Sequence, residues 1–235
     1  MLRFYTLPPN GVQYPFLLTH LRNAKQLTRR RFEHAIVDSG VMIFVNANCK
    51  EYPRAFLDQY AWRCRQFNEI LHGKAYFVIC DYPDDYNPGQ FGDNVSKTIE
   101  NIKRFLPEDG VEWMPVIQAR FLNYLNFFDS CQRTQDVIGK DYPRVGIGTV
   151  CKCEDSRYIE YCCRVARQFF PRSWIHAFGV TLRALPKIKD VIDSYDSMAW
   201  TKPRRGNMGL PSCRNKAERI KYFDAYLRRL KEILN

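Results

Sequence analysis

The chain has 235 residues, of which 46% are hydrophobic and 14% aromatic; that is enough for one large or two small domains with a packed core, and it argues against general disorder. Its 36 Lys and Arg outnumber 25 Asp and Glu, giving a net charge of +11, which favours an anionic partner, nucleic acid first. No apolar run approaches the ~18 residues of a membrane span, and the opening MLRFYTLPPN has neither the apolar stretch nor the small-residue cleavage site of a secretory signal, so a cytoplasmic protein is expected.

In chain order, a short apolar opening from Leu2 to Leu7 is followed by a predicted helix around 15–31 that ends in Arg29-Arg30-Arg31. AIVDSG (35–40) predicts a buried strand that stops at a turn. Residues 53–72 give the clearest helix, with Pro53 in its first turn and Phe56, Leu57, Tyr60, Cys64, Phe67 and Leu71 at helical spacing before Gly73. AYFVICD (75–81) predicts a strand, and 93–106 a helix opened by Asp93 with Ile99, Ile102 and Leu106 inside. The alternation continues with a strand at WMPVIQ (113–118), a helix at 121–138, a strand at VGIGTV (145–150) and a helix from Ser156 to about Phe170. WIHAFGV (174–180) is a strand before a short helix through Ile188, and SYDSMAW (194–200) is the last clear strand. The final helix starts at Asn215 with Glu218 as its capping box, and buries Ile220, Phe223, Leu227, Leu230 and Leu234.

Continuous apolar strands separated by amphipathic helices predict an α/β fold with a parallel sheet covered by helices. With the apolar opening counted, seven strands are legible, and an eighth fits within 203–213. A compact TIM (β/α)8-type barrel suits this count, with a doubly wound open sheet as the alternative. No linker divides the chain, so 1–235 is expected to form a single domain.

Nine cysteines include no C-x-x-C pair. Buried free thiols are the plainest reading, since Cys behaves as a small hydrophobe. Intracellular disulfides, or a zinc site at Cys151, Cys153 and Cys162 that lacks a fourth ligand at familiar spacing, are the alternatives.

Catalytic groups of a parallel barrel sit at the carboxyl ends of its strands. Those ends carry, in order, Asp38, Asp81, Gln118, Gly146 with Gly148, His176 with Gly179, and Asp196. Any one Asp there reads equally as a helix cap or turn former. Three acids directly after apolar strands are less easily explained that way, because caps should vary in type. His176, on an apolar strand behind Trp174 and Ile175, also reads as a satisfied core histidine.

VDSG (37–40), CDYP (80–83), VIQA (116–119), VGIG (145–148), HAFGV (176–180) and DSYDSMAW (193–200) together resemble the ordered motifs of the tRNA-guanine transglycosylase superfamily. The HAFG and DSYDSMAW forms are most similar to its DNA-modifying branch, the DpdA-like 7-deazaguanine transglycosylases. The resemblance runs from about residue 35 to 205 and implies a TIM barrel that exchanges guanine in a nucleic acid for a 7-deazaguanine such as preQ0. It implies Asp196 as nucleophile and Asp38 as general acid/base. It also implies base-binding roles for Asp81, Gln118, Gly146, Gly148, His176, Phe178 and Gly179, with Phe178 or Tyr82 stacking on the base.

The chemistry suits those residue types. Cleaving a glycosidic bond builds positive charge at C1′, which a carboxylate on the opposite face stabilises and then bonds. Displacement by the incoming base restores the configuration, as in retaining glycosidases. Asp193 and Asp196 lie three apart on a strand and so face opposite ways.

Lys202, Arg204 and Arg205 follow the last strand and are expected to hold phosphates beside an extruded nucleotide. Classical tRNA-modifying relatives carry a cysteine and histidine zinc module after the nucleophile strand; here only Cys213 and no histidine follows Asp196. No zinc subdomain, metal or cofactor is therefore expected, and DNA is favoured over tRNA. Two other functions stay open: a catalytically silent nucleic-acid-binding relative, and a barrel enzyme for a phosphorylated metabolite with Gly206-Asn207-Met208-Gly209 as phosphate turn.

Overall fold

Strands and helices alternate along almost the whole chain in a computed structural model, which describes residues 2–201 and 215–234. The first strands are β1 (Arg3–Tyr5) and β2 (Phe16–His20), and a 3-10 helix (Leu21–Arg29) leads to β3 (His34–Asp38). Helices α1 (Met42–Asn46) and α2 (Arg54–Ile70) precede β4 (Ala75–Val78) and α3 (Asn94–Phe105). Then come β5 (Trp113–Met114), β6 (Val116–Ile117), α4 (Tyr124–Ile138), β7 (Arg144–Ile147) and α5 (Ser156–Phe169). The last elements are β8 (Trp174–Ala177), α6 (Leu185–Ile188), β9 (Ser194–Asp196), a 3-10 turn (Ala199–Thr201) and α7 (Lys216–Leu234).

All strand pairs are parallel, in two sheets ordered β1-β9-β8-β7-β6 and β2-β3-β4-β5. The fold is thus α/β with helix-covered parallel sheets. The two sheets adjoin twice. Pro115 alone separates β5 from β6, and its carbonyl still accepts the Gly146 N–H at 2.8 Å. At the other edge Thr6 bridges Leu17 in parallel, with Leu18 N–H donating to the Thr6 carbonyl at 3.0 Å. A cluster of Tyr5, Ile36, Val78, Met114, Val116 and Phe178 draws side chains from both sheets into one interior.

The helix expected over 15–31 is a correction. Residues 16–20 form β2, in full register with β3. Leu17 and Thr19 are buried and their neighbours are not, a two-residue period too short to stand out beside the helical pattern that follows. That pattern is real but tighter than an α-helix. Leu21, Ala24 and Leu27 are buried every third residue, the repeat of the 3-10 helix that forms there. The expected eighth strand within 203–213 lies outside the described residues.

Side-chain caps start four of the helices. Asp93, Asn123 and Asp155 accept backbone N–H groups of α3, α4 and α5, and Asn215 accepts that of Glu218 at 3.0 Å. All eight cysteines among the described residues are free, most of them buried, and there no three His, Cys, Asp or Glu side chains are placed so that they could hold a metal ion. No helix among the described residues is long and apolar enough to cross a membrane.

Candidate active site

The carboxyl ends of β3, β4, β6, β7, β8 and β9 surround a cavity of about 160 Å³. Asp38, Asp81 and Asp196 all line it, together with Gln118, Gly148, Phe178 and Gly179. Leu18, Val41, Met42 and Val78 supply apolar wall, and Tyr86 and Cys151 complete one side.

Asp38 ends β3 and is locked by its own turn. Its Oδ1 accepts the Gly40 N–H at 2.7 Å and the Ser39 hydroxyl at 3.4 Å, and Gly40 takes φ +81° to allow this. Burial pushes the Asp38 carboxyl above the usual range; the Gly40 N–H opposes the rise and the charge of Asp196 adds to it.

Asp81 lies three residues beyond β4, and its Oδ2 accepts from Nε2 of Gln118 at 2.6 Å. Burial raises its pKa to about 7, with Asp38 adding to the rise and the Gln118 bond opposing it. The backbone that carries this pair is clamped from behind. The Asn94 side chain donates to the carbonyls of Tyr82 at 3.0 Å and Ala119 at 3.1 Å, the residues next to Asp81 and Gln118. Tyr52 adds a hydroxyl bond to the Asp81 carbonyl at 2.9 Å. Gly148 gives Gln118 its position, because a Cβ there would collide with the Gln118 amide and come within 2.7 Å of Val116.

Asp196 ends β9. Its Oδ1 accepts the Gly179 N–H at 2.8 Å and lies 3.3 Å from Nε2 of His176, whose Nδ1 is 2.8 Å from the Ser194 hydroxyl. The fully buried His176 ring stacks on Trp174, with 5.8 Å between centroids. Asp193 points the other way, as its spacing from Asp196 predicts: it accepts the Ile175 N–H at 2.8 Å and pairs with Arg167 at 2.6 Å.

Most of the residues singled out from the sequence therefore come together, with three exceptions. Gly146 does not line the cavity; a Cβ on it would be 2.6 Å from the Phe178 ring, so its bareness makes room for Phe178 to reach the cavity. His176 stands behind Asp196 rather than at the cavity wall. Tyr82 packs against Tyr52 and Phe91, away from the lining. Lys202, Arg204, Arg205, the Gly206–Gly209 turn and Cys213 lie outside the described residues.

Sequence reasoning missed Tyr86 and Cys151, which meet at 3.3 Å, and Lys152, whose ammonium sits 3.4 Å from the Tyr86 ring centroid. Beside them both carboxylate oxygens of Asp85 are buried without a hydrogen-bond partner, and burial raises this acid to about 8. These residues sit in irregular loops, where no periodicity marks them. Leu18 was hidden by the misread first helix.

Comparison with solved structures gives two distant likenesses. The carboxyl transferase domain of Rhizobium etli pyruvate carboxylase is 11% identical with a TM-score of 0.41, over 95% of this chain and 48% of that one, so the chain spans about half its length. The 2,3-dimethylmalate lyase of the PEP mutase/isocitrate lyase superfamily is 10% identical with a TM-score of 0.36, over 95% of each chain. No curated protein matches the sequence. The family comparison reaches further: residues 97–233, more than half of the chain, match DeoxyPurine in DNA protein A, a stretch that holds Gln118, Gly148, His176 and Asp196 and begins after Asp38 and Asp81. With that match running from within α3 to α7, the chain belongs to the DpdA family, a DNA 7-deazaguanine transglycosylase family.

Proposed function

We propose that the chain, acting as a single catalytic domain, replaces guanine in DNA with a 7-deazaguanine base such as preQ0 through a covalent Asp196–sugar intermediate. The observation that carries this reading is the gathering of Asp38, Asp81 and Asp196, from three separate strand ends, around one cavity with Gln118. At about 160 Å³ it is smaller than the ~300–1,000 Å³ of drug-sized pockets, which suits a single flat base more than a whole nucleotide.

In this reading the two sheets are one eight-stranded TIM-type barrel, with β5 and β6 a single strand interrupted at Pro115. Asp196 attacks C1′ as the bond to the guanine nitrogen breaks. Its Oδ1 is held by Gly179, which leaves Oδ2 for the sugar. Asp38, whose burial favours the protonated form, gives its proton to the departing base nitrogen. The incoming base then returns a proton to Asp38 as its nitrogen displaces the Asp196 ester oxygen, so the configuration at C1′ is retained.

Asp81 accepts from the N1–H and exocyclic amine of the guanine edge, where adenine would leave the acceptor unpaired. Gln118 meets the base carbonyl or the 7-substituent, and Gly148 lets the flat ring approach the backbone. Phe178 packs on the base, and Gly179 and His176 position Asp196. Lys202, Arg204 and Arg205 follow β9 in sequence and supply charge for flanking phosphates.

Labelled preQ0 supplied with DNA or tRNA tests the reading. Incorporation into DNA that disappears in Asp196→Ala is expected. DNA binding without exchange in the wild type would leave a silent binding relative, and exchange into tRNA alone would reassign the substrate.

A further inference from the structure

Four of the eight large apolar side chains that stay exposed among the described residues lie on one short stretch beside the candidate site. Leu122 is 45% exposed, Tyr124 41%, Leu125 83% and Phe128 48%, the last against the ring of Phe169. Gln118 lines the cavity, and Leu122 follows it by four residues in the loop between β6 and α4. Leu122 is held at φ +58°, where glycine would sit without a Cβ penalty. A bulky residue kept in that conformation points to a use for its side chain.

The loop is fixed rather than slack. Its Ala119 carbonyl accepts from Asn94, its Arg120 N–H donates to Asn126 Oδ1 at 2.7 Å, and its Phe121 N–H donates to Asp84 Oδ2 at 2.9 Å. Tyr124 is committed to packing against the rings of Tyr158 and Tyr161. Leu122 and Leu125 have no such burial. The loops after β6 and β7 and the first turn of α5 also carry exposed Arg120, Lys152 and Arg157, with exposed Glu154 and Asp155 among them. Apolar tips on a rigid loop with cations close by match what nucleic-acid-bending proteins insert between base steps.

We propose that Leu122 and Leu125 form an apolar wedge that enters duplex DNA at the step from which the target guanine is extruded, filling the gap that the base leaves. The proposal rests on the base-exchange reading, since a base must leave the stack to reach a cavity at the strand ends.

The test uses the full chain with Leu122 and Leu125 both changed to alanine, and Leu125→Ala alone as the milder variant. Leu125 is largely solvated and Leu122 about half so; the thermal midpoint should stay close to wild type in Leu125→Ala and fall only slightly in the double variant. The probe is a duplex with 2-aminopurine beside the target guanine. Wild-type binding should raise its fluorescence through unstacking, and the double variant should lose most of that rise. Exchange into duplex DNA should fall at least tenfold, whereas exchange into a single-stranded oligonucleotide with the same guanine should be unchanged. An unaltered fluorescence rise and duplex rate in the double variant would overturn the wedge. So would a dimer that the substitutions dissociate while duplex exchange persists. Should wild type exchange no base into any DNA, the base-exchange reading falls, and the fluorescence on binding still decides the wedge by itself.

Discussion

Gly179 takes φ +63° and donates its N–H to Oδ1 of Asp196 at 2.8 Å, so one residue sets both the turn after β8 and the aim of the acid at the end of β9. A Cβ at this position would meet Sγ of Cys151 at 2.6 Å and sit in the left-handed region. Gly179→Ala should therefore cost ~1–2 kcal/mol of stability from the backbone alone. Exchange should fall further than stability does, at least tenfold, because the proposed nucleophile loses its fixed N–H. Thermal unfolding beside labelled-base exchange separates the two effects; equal exchange rates in variant and wild type would show that Gly179 serves only the turn.

Asn94 joins the loop after β4 to the loop after β6. Its amide donates to the carbonyls that follow Asp81 and Gln118. Asn94→Ala strands the Tyr82 carbonyl and leaves that of Ala119 with only the Thr149 hydroxyl at 3.5 Å, so with ~1–3 kcal/mol for a fully unsatisfied group a loss of about 2–4 kcal/mol is expected. At ~2–4 °C per kcal/mol for a chain of this size, the unfolding midpoint should drop by about 4–16 °C. Base affinity, measured by calorimetry with free preQ0 below that midpoint, should weaken as the Asp81–Gln118 pair loses its register.

Gly148→Ala should separate base binding from DNA binding. The new methyl would push against the Gln118 amide and Val116, and the Gln118–Asp81 bond of 2.6 Å would be the first casualty. A hydrogen bond to a charged group contributes ~1.5–3 kcal/mol, so free-base affinity should drop by about tenfold or more. Duplex affinity, dominated by phosphate contacts, should stay within twofold. Unchanged base affinity would mean that Gln118 faces the base in another orientation.

The strand ends were legible because burial on both faces makes β3, β4, β7 and β8 continuous apolar runs, and a polar residue after such a run is conspicuous. That placed Asp38, Asp81, Gln118, Gly148 and Asp196 at one rim before any coordinates. β2 was not legible: five residues with a two-residue period run straight into a three-residue period, and the sum imitates an α-helix. Gly146 does not line the cavity, and sequence could not tell this because a missing side chain does not say which neighbour needs the space; here it is Phe178. Tyr86, Cys151 and Asp85 come from loops whose shape depends on tertiary contacts, such as the Tyr86–Cys151 pair, that no local pattern encodes.

Stability and base recognition should respond to pH in opposite directions. An ordinary Asp titrates at ~3.9, whereas Asp81 in the fold titrates at about 7 and the neighbouring Asp85 at about 8. From pH ~4 upward the unfolded chain has released these protons while the folded chain still holds them. The stability these two acids contribute is therefore highest at the acid end of that window and falls as pH rises toward 7 and 8, then levels off. Asp81→Asn removes one titrating group and keeps an acceptor for Gln118, so urea-unfolding curves from pH 4.5 to 8.5 should slope less than in wild type, and Asp85→Asn should flatten the upper part of the range. Acceptance of the guanine edge requires the Asp81 carboxylate, so free-base affinity of the wild type should rise through pH 7 and lose that rise in Asp81→Asn. Parallel pH slopes for all three proteins would mean that neither acid is buried in its charged-unfavourable setting and that base recognition does not depend on Asp81.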